Sequence, residues 1–266
     1  MSITITVNPL PTVTADHSSV CANNQTDIDL ETLVTNPSGG TLTYYTSETN
    51  AENETNSISQ IVSPTSTTTY WIRTELPTGC YDVTSTQITI DPLPAVNAGI
   101  DGDICIGNTY DLTTNATGSN LSYYENQTDA NNGSNALVST TVSPTVTTTY
   151  YVRSDNTTTG CYNTDSKIIT VNPLPNVTAN ASDTSICIGE PVTLTGGGAL
   201  TYSWSDGVSD GVPFSPTATQ TYTVTGTDAN GCVNTATIEI IVNPLPIVIA
   251  NTTATVICEG ESVTLT

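Results

Sequence analysis

The chain has 266 residues, with 25 Asp+Glu against 3 Lys+Arg and a formal charge of −22, so it has no basic patch with which to bind nucleic acid or an anionic membrane. Only 11% of residues are charged, against roughly 25% in an ordinary domain, and threonine alone supplies about a fifth. With Val, Ile and Tyr abundant and the usual helix formers sparse, this composition predicts strands and almost no helix. The apolar runs fall far short of the ~20 residues of a membrane span. Ser2-Ile3-Thr4-Ile5-Thr6 after Met1 lacks a basic n-region and a continuous apolar h-region, so any export signal is expected outside this sequence.

In chain order, one phrase recurs: Val7-Asn8-Pro9-Leu10-Pro11, Ile90-Asp91-Pro92-Leu93-Pro94, Val171-Asn172-Pro173-Leu174-Pro175 and Val242-Asn243-Pro244-Leu245-Pro246, at spacings of 83, 81 and 71 residues. Ahead of it the pairs Ile5/Val7, Ile88/Ile90, Ile169/Val171 and Ile240/Val242 alternate mostly with Thr or Glu, which predicts a strand with one buried face. Two prolines one residue apart cannot donate to a ladder, so the phrase must end the strand and act as a stiff joint. After each joint comes a cysteine: Cys21, then Cys105, Cys187 and Cys258, the last three within Cys-x-Gly. Seven residues further on stands Ile28, Leu112, Leu194 or Leu265, in a Thr-rich alternating run read as a second strand. A tyrosine strand follows (Leu42-Thr43-Tyr44, Leu121-Ser122-Tyr123, Leu200-Thr201-Tyr202), then a Ser-Pro turn into a strand carrying Tyr70, Tyr150 or Tyr222, then Gly79-Cys80, Gly160-Cys161 or Gly231-Cys232.

Short strands broken by Pro, Gly and Asn clusters predict an all-β chain of small antiparallel β-sandwich domains in an extended array. The phrases divide it into 1–8, the closing strand of a preceding repeat; 9–92, 93–173 and 174–244, three complete repeats; and 245–266, the opening strands of a following one. The chain is thus expected to be an excerpt from a longer array.

The seven cysteines resolve into one early and one late cysteine per complete repeat, predicting Cys21 with Cys80, Cys105 with Cys161 and Cys187 with Cys232, and leaving Cys258 unpaired. Such bridges imply an oxidising compartment and would stabilise each repeat by roughly 4 kcal/mol on the chain-entropy model. Structural zinc is disfavoured, since no CxxC pair exists and the lone His17 has no companion ligand.

No catalytic residue and no cofactor is predicted. His17 and Lys167 are the only His and Lys, and acid pairs such as Glu52 and Glu54 sit in Asn-rich loops with no apolar wall. Asp101 and Asp103 are weak calcium candidates, as are Asp206 and Asp210, against the simpler reading of Asp-Gly turns. Arg73 and Arg153 occupy one place in two repeats, where Thr225 stands in the third; they read as solvated surface or as a strand-specific salt bridge. Trp71 and Trp204 could stack on sugars, but the Tyr-x-Trp pattern makes Trp204 a core residue near a Cys187–Cys232 bridge. The Asn-x-Ser/Thr triplets at Asn24, Asn115, Asn120 and Asn176 follow from composition alone.

The joined pattern of Cys-x-Gly, Tyr-x-Trp or Tyr-Tyr, Thr-Thr-Thr-Tyr, Gly-Cys and a closing VNPLP strand resembles the immunoglobulin-like repeats of very large secreted Bacteroidota surface proteins, gliding-motility adhesins of the type IX system among them. The first two repeats are similar to the Ig-like repeat found with cytophaga-type C-terminal sorting domains. The third, with Tyr202-Ser203-Trp204 and Asp228-Ala229-Asn230-Gly231-Cys232, resembles polycystic-kidney-disease-type sandwiches. The first departs from the pattern at Asn23-Asn24, where no Gly follows Cys21. The resemblance implies tandem Ig-like domains at a bacterial cell surface, forming a non-enzymatic stalk that holds an adhesive or other tip away from the cell. Its partners would be neighbouring repeats, with no nucleic acid and no membrane insertion. The alternatives are a module that binds a glycan or surface protein through loops 46–62 and 125–142, longer than 205–214, or the accessory region of a surface hydrolase.

Overall fold

The computed structural model describes residues 1, 3–23 and 27–266; Asn24, of the Asn23-Asn24 turn and of the first Asn-x-Thr triplet, lies outside them. The chain groups into two compact units, residues 1–102 with 110–142 and 148–169, and residues 103–109 with 143–147 and 170–266.

Three four-stranded sheets repeat one topology, each drawing its strands from a single sequence repeat. In the first the order is Ser18–Cys21, Tyr81–Asp91, Thr68–Glu75, Thr41–Tyr45; in the second Gly102–Cys105, Tyr162–Asn172, Thr148–Asp155, Leu121–Tyr124; in the third Ser185–Cys187, Val233–Asn243, Gln220–Thr227, Thr201–Trp204. The last three strands of each order form the antiparallel C-F-G arrangement of an immunoglobulin sandwich. In the first and third sheets the short opening strand adds to the edge in parallel, with Cys21 opposite Asp91 and Cys187 opposite Asn243.

The opposing layer is built from short pairs in the first two repeats: Thr14–Ala15 with Val34–Thr35, Ile28–Asp29 with Ile61–Val62, Val96–Asn97 with Thr117–Gly118 and Tyr110–Asp111 with Thr141–Val142. In the third it is a three-stranded sheet of Thr178–Ala181, Val192–Gly197 and Pro213–Phe214. Period-2 side chains meet between the layers: Tyr70, Ile72 and Ile88 in the first repeat, Tyr150, Val152 and Ile169 in the second, Tyr222, Val224 and Ile240 in the third are all buried. Trp204 is in the third core, as its strand predicts.

The closing strands end at Asp91, Asn172 and Asn243, each one residue before the first proline of its joint. The described residues of 1–8 form no strand, and 245–266 hold one isolated bridge, Thr252 with Leu265. The long loops are not wholly irregular. Each contains a six-residue α-helix, Glu48–Asn53 and Gln127–Asn132. Ser47 and Asn126 cap these helices by accepting from the backbone N–H three residues on, and Ala51 and Ala130 are the buried residue of each.

Candidate functional site: the bridges between repeats

The early cysteines end their opening strands. The amide one residue further on still donates to the last residue of the closing strand: Ala22 to Asp91 O at 3.0 Å, Ile106 to Asn172 O at 2.9 Å and Ile188 to Asn243 O at 2.9 Å. The chain then turns. Cys105 O accepts from Asn108 N and Cys187 O from Glu190 N, both at 3.0 Å, and Gly107 (φ 90) and Gly189 (φ 92) take the left-handed position that only glycine fills cheaply. Cys-x-Gly is therefore a turn that presents the cysteine at the end of the sheet. Glu190 Oε2 ties the third one down, accepting from Cys187 N at 2.8 Å.

The late cysteines lie at the other end of the sheet, in the hairpin between its two long strands. Here the amides of Leu76, Asn156 and Asp228 donate to the carbonyls of Cys80, Cys161 and Cys232 at 3.0, 2.8 and 3.0 Å. Each late cysteine immediately precedes the eleven-residue closing strand, whose far end meets the early cysteine. At about 3.3 Å per residue that strand separates Cys21 from Cys80, and Cys187 from Cys232, by roughly 35 Å. A disulfide needs Cα atoms within about 7 Å.

The pairing expected within each repeat is thus excluded by the fold, and the structure replaces it. Cys21 bonds Cys161 and Cys105 bonds Cys232, with Cα–Cα distances of 5.4 and 5.5 Å, while Cys80, Cys187 and Cys258 are free thiols. The early cysteine of one repeat takes the late cysteine of the next. The correction extends to Cys258, which is unpaired as expected but is not the only such thiol. Cys161 and Cys232 are fully buried. Beside the first bridge Asn23 Nδ2 donates to Tyr162 O at 3.1 Å.

The proline joints lie at the same places. Asn163 Nδ2 donates to Pro94 O at 3.3 Å, and Asn234 Nδ2 to Pro175 O at 2.9 Å. Both asparagines stand two residues after a bridged late cysteine, so a peptide joint and a disulfide connect each successive pair of repeats side by side.

The remaining sequence candidates other than Asp103 have structural partners. His17 Nδ1 accepts from Gln87 N at 2.9 Å, and Asp101 Oδ1 accepts from the corresponding amide of the second repeat, Ile168 N, at 2.7 Å. Asp103 is exposed, and among the described residues no three His, Cys, Asp or Glu side chains converge on a point. Asp210 Oδ1 accepts from Gly196 N and Trp204 Nε1 at 2.7 and 2.8 Å, and Asp206 Oδ2 from Gln220 Nε2 at 2.7 Å. Lys167 is fully buried, donating to Leu112 O and Thr114 O at 3.1 and 2.9 Å; burial pulls its pKa down, opposed by the charges of Asp111 and Asp101.

Arg73 and Arg153 form salt bridges and are not solvated surface: their side chains are 6% and 13% exposed. Arg73 Nη2 lies 2.8 Å from Glu75 Oε2 and 3.1 Å from Glu54 Oε1, and Arg153 Nη2 lies 2.8 Å from Asp155 Oδ1. Each Nη1 donates to two carbonyls near the end of the adjacent helix, Ala51 and Glu52 or Ala130 and Asn131. Each guanidinium stacks on a tyrosine at the start of the closing strand, Tyr81 at 3.6 Å and Tyr162 at 3.8 Å. The signal for this clamp is Arg-x-acid on a strand, since residues two apart share a face.

Solved structures of similar fold include a three-domain fragment of the titin I-band, 11% identical over 89% of this chain and 100% of that chain (TM-score 0.36). Others are immunoglobulin domains 1–5 of Sidekick-1, 13% identical over 88% and 58% (TM-score 0.29), and Drosophila OTK extracellular domains 3–5, 8% identical over 66% and 71% (TM-score 0.29). No curated protein matches the chain in sequence. The family model described as the Flavobacterium inter-domain disulphide bond domain matches residues 15–94 and 104–175, together more than half of the chain. With its cysteines bonded from one repeat to the next, the chain belongs to the Flavobacterium inter-domain disulphide bond domain family.

Proposed function

We propose that this region is a structural stalk segment of a large bacterial cell-surface adhesin, holding an adhesive or other tip away from the cell. The supporting observation is the doubling of each joint. A peptide link with two prolines resists bending, and a disulfide beside it cannot be pulled apart by force that unfolds a domain. Stable disulfides belong to an oxidising compartment, which puts the segment outside the cytoplasm. The non-enzymatic reading is supported by His17, whose Nδ1 accepts from a backbone amide, and by Lys167, which is buried and donates to two backbone carbonyls. The glycan-binding alternative drew on two polar loops, and both carry a helix clamped to its own sheet by an arginine.

The two bridges interlock, because Cys105 lies between Cys21 and Cys161 in sequence. Three chain segments therefore run in parallel between the bridged pairs: 21 to 105, 105 to 161 and 161 to 232. Under tension the shortest, the 56 residues from Cys105 to Cys161, limits the extension.

Pulling the oxidised chain by its ends tests this. The span from Cys21 to Cys232 should extend to no more than about 190 Å, where that of the reduced chain extends to about 720 Å, at ~3.4 Å per residue. Release of the longer length without reductant would overturn the load-bearing role of the bridges.

A further inference from the structure

Tyr44 is 5% exposed and belongs to the core of the first repeat, yet its buried hydroxyl has no hydrogen-bond partner among the described residues. Leaving a buried polar group unpaired is costly, because its desolvation is not repaid. The third repeat satisfies the same position internally. Tyr44 stands opposite Ile72 in the sheet register and Trp204 opposite the equivalent Val224. There Trp204 Nε1 donates to Asp210 Oδ1 at 2.8 Å. The first repeat offers Tyr44 no such acceptor among the described residues.

Tyr44 instead lines a cavity of about 470 Å³, within the roughly 300–1,000 Å³ of small-molecule sites. Both layers of the sandwich contribute to it. Leu42 and Tyr44 come from the edge strand Thr41–Tyr45, Val34 from one short pair of the opposing layer, and Gln60 from the residue before the other; Glu31 stands on the turn Leu30–Leu33 between them. Asn36 completes the polar lining and is fixed in place: its Nδ2 donates to Gly40 O at 2.7 Å and its Oδ1 accepts from Thr74 Oγ1 at 3.3 Å. A carboxylate, two amides and a phenol suit a ligand whose groups both donate and accept, as a hydroxyl does when it accepts from Tyr44 and donates to Glu31. Anions are disfavoured. No basic side chain lines the cavity, and burial, with the charges of Glu31 and Asp29, pushes the Tyr44 pKa up to about 12, so the phenol stays neutral in a negative field.

We infer that this cavity is a binding site for a single neutral sugar ring, anchored by the Tyr44 hydroxyl and the Glu31 carboxylate. The ring supplies the hydrogen-bond partner that the fold withholds from Tyr44, and the apolar side chains of Val34 and Leu42 meet its C–H groups. Of the polar loop 46–62 the site uses only Gln60. It lies wholly within the first repeat and does not depend on the segment being a stalk.

The test titrates the full chain with glucose, galactose, mannose and N-acetylglucosamine, each as the free sugar and as its methyl glycoside, and follows backbone amide signals. At least one probe should shift the amides of residues 31–44 and of Gln60 saturably. Binding of both forms assigns the end of a glycan as the source and binding of the free form alone a soluble sugar; either supports the site. Tyr44→Phe and Glu31→Gln should each weaken that binding about tenfold. Tyr44→Phe removes a hydroxyl that bonds nothing in the fold, so without sugar this variant should melt no lower than the wild type. No saturable shift with any probe, or binding that either variant keeps at full strength, would overturn the site. So would a Tyr44→Phe variant that melts well below the wild type, because its hydroxyl would then have a partner inside the repeat.

Discussion

The second and third repeats have the same sheet topology and are joined by a bridge, but differ in how they fill the space beside the tyrosine strand. In the second, the helix Gln127–Asn132 lies under the Arg153 guanidinium, which stacks on Tyr162. In the third, Thr225 and Val233 take the places of Arg153 and Tyr162, and a three-residue 3₁₀ turn, Ser205–Gly207, replaces the helix. Trp204 bonded to Asp210 and the edge-on pair of Phe214 with Tyr222, 5.2 Å apart, consolidate that side instead. Arginine, tyrosine and helix are thus present together or absent together, as one packing unit, while the cysteine ends are the same in both. What decorates the flank of the sandwich is separable from what links the repeats.

The largest expected effect tests that packing unit. Arg153→Ala strips two helix carbonyls, one carboxylate and a ring of their partner, and Arg73→Ala does the same with a second carboxylate; each should cost about 2–4 kcal/mol, somewhat less than the ~3–5 kcal/mol for breaking a fully buried pair. Thr225→Ala in the third repeat should stay within about 0.5 kcal/mol. Chemical denaturation gives the totals, and amide exchange at Gln127–Asn132 should quicken in the Arg153 variant alone. Equal costs at all three positions would dissolve the distinction between the repeats.

A smaller effect sharpens it. Lys167 and Ile238 hold one register, opposite Tyr150 and Tyr222. Lys167→Ile copies the third repeat into the second, exchanging a buried ammonium and two carbonyl hydrogen bonds for an apolar side chain. At neutral pH the net change should be within about 1 kcal/mol. The sign with pH is distinctive. Burial lowers the folded pKa of Lys167 below its unfolded value, so between the two values the unfolded chain binds more protons and the wild type gains stability as pH rises. The wild type should therefore improve relative to Lys167→Ile between neutrality and about pH 10 in urea melts. A difference that is flat or of opposite slope would mean that the lysine is not desolvated.

Much of this architecture is legible in the residues. Alternation locates the closing strands, the proline pairs stop them at Asp91, Asn172 and Asn243, and Gly-Cys and Cys-x-Gly locate both cysteine ends. The partner of each cysteine is not legible, because it depends on the direction of an opening strand only three or four residues long. Alternation reads the same in a parallel and an antiparallel strand. Pairing that strand parallel to the closing one sends its cysteine to the far end of the sheet, and the count of one early and one late cysteine per repeat carries no trace of that. The helices escape for a different reason. Six residues are too few for a 3.6-residue period to register in a Thr- and Asn-rich loop, and only the caps Ser47 and Asn126 and the buried Ala51 and Ala130 mark them.

The most direct measurement is a disulfide map of the monomeric chain, alkylated before unfolding and digested without reduction by a protease that cuts at acidic residues, since Lys+Arg number only 3. The account predicts two bridged peptide pairs, Cys21 with Cys161 and Cys105 with Cys232, and alkylated Cys80, Cys187 and Cys258. Finding Cys21 with Cys80, or Cys187 with Cys232, would contradict the parallel opening strand and with it the linkage between repeats.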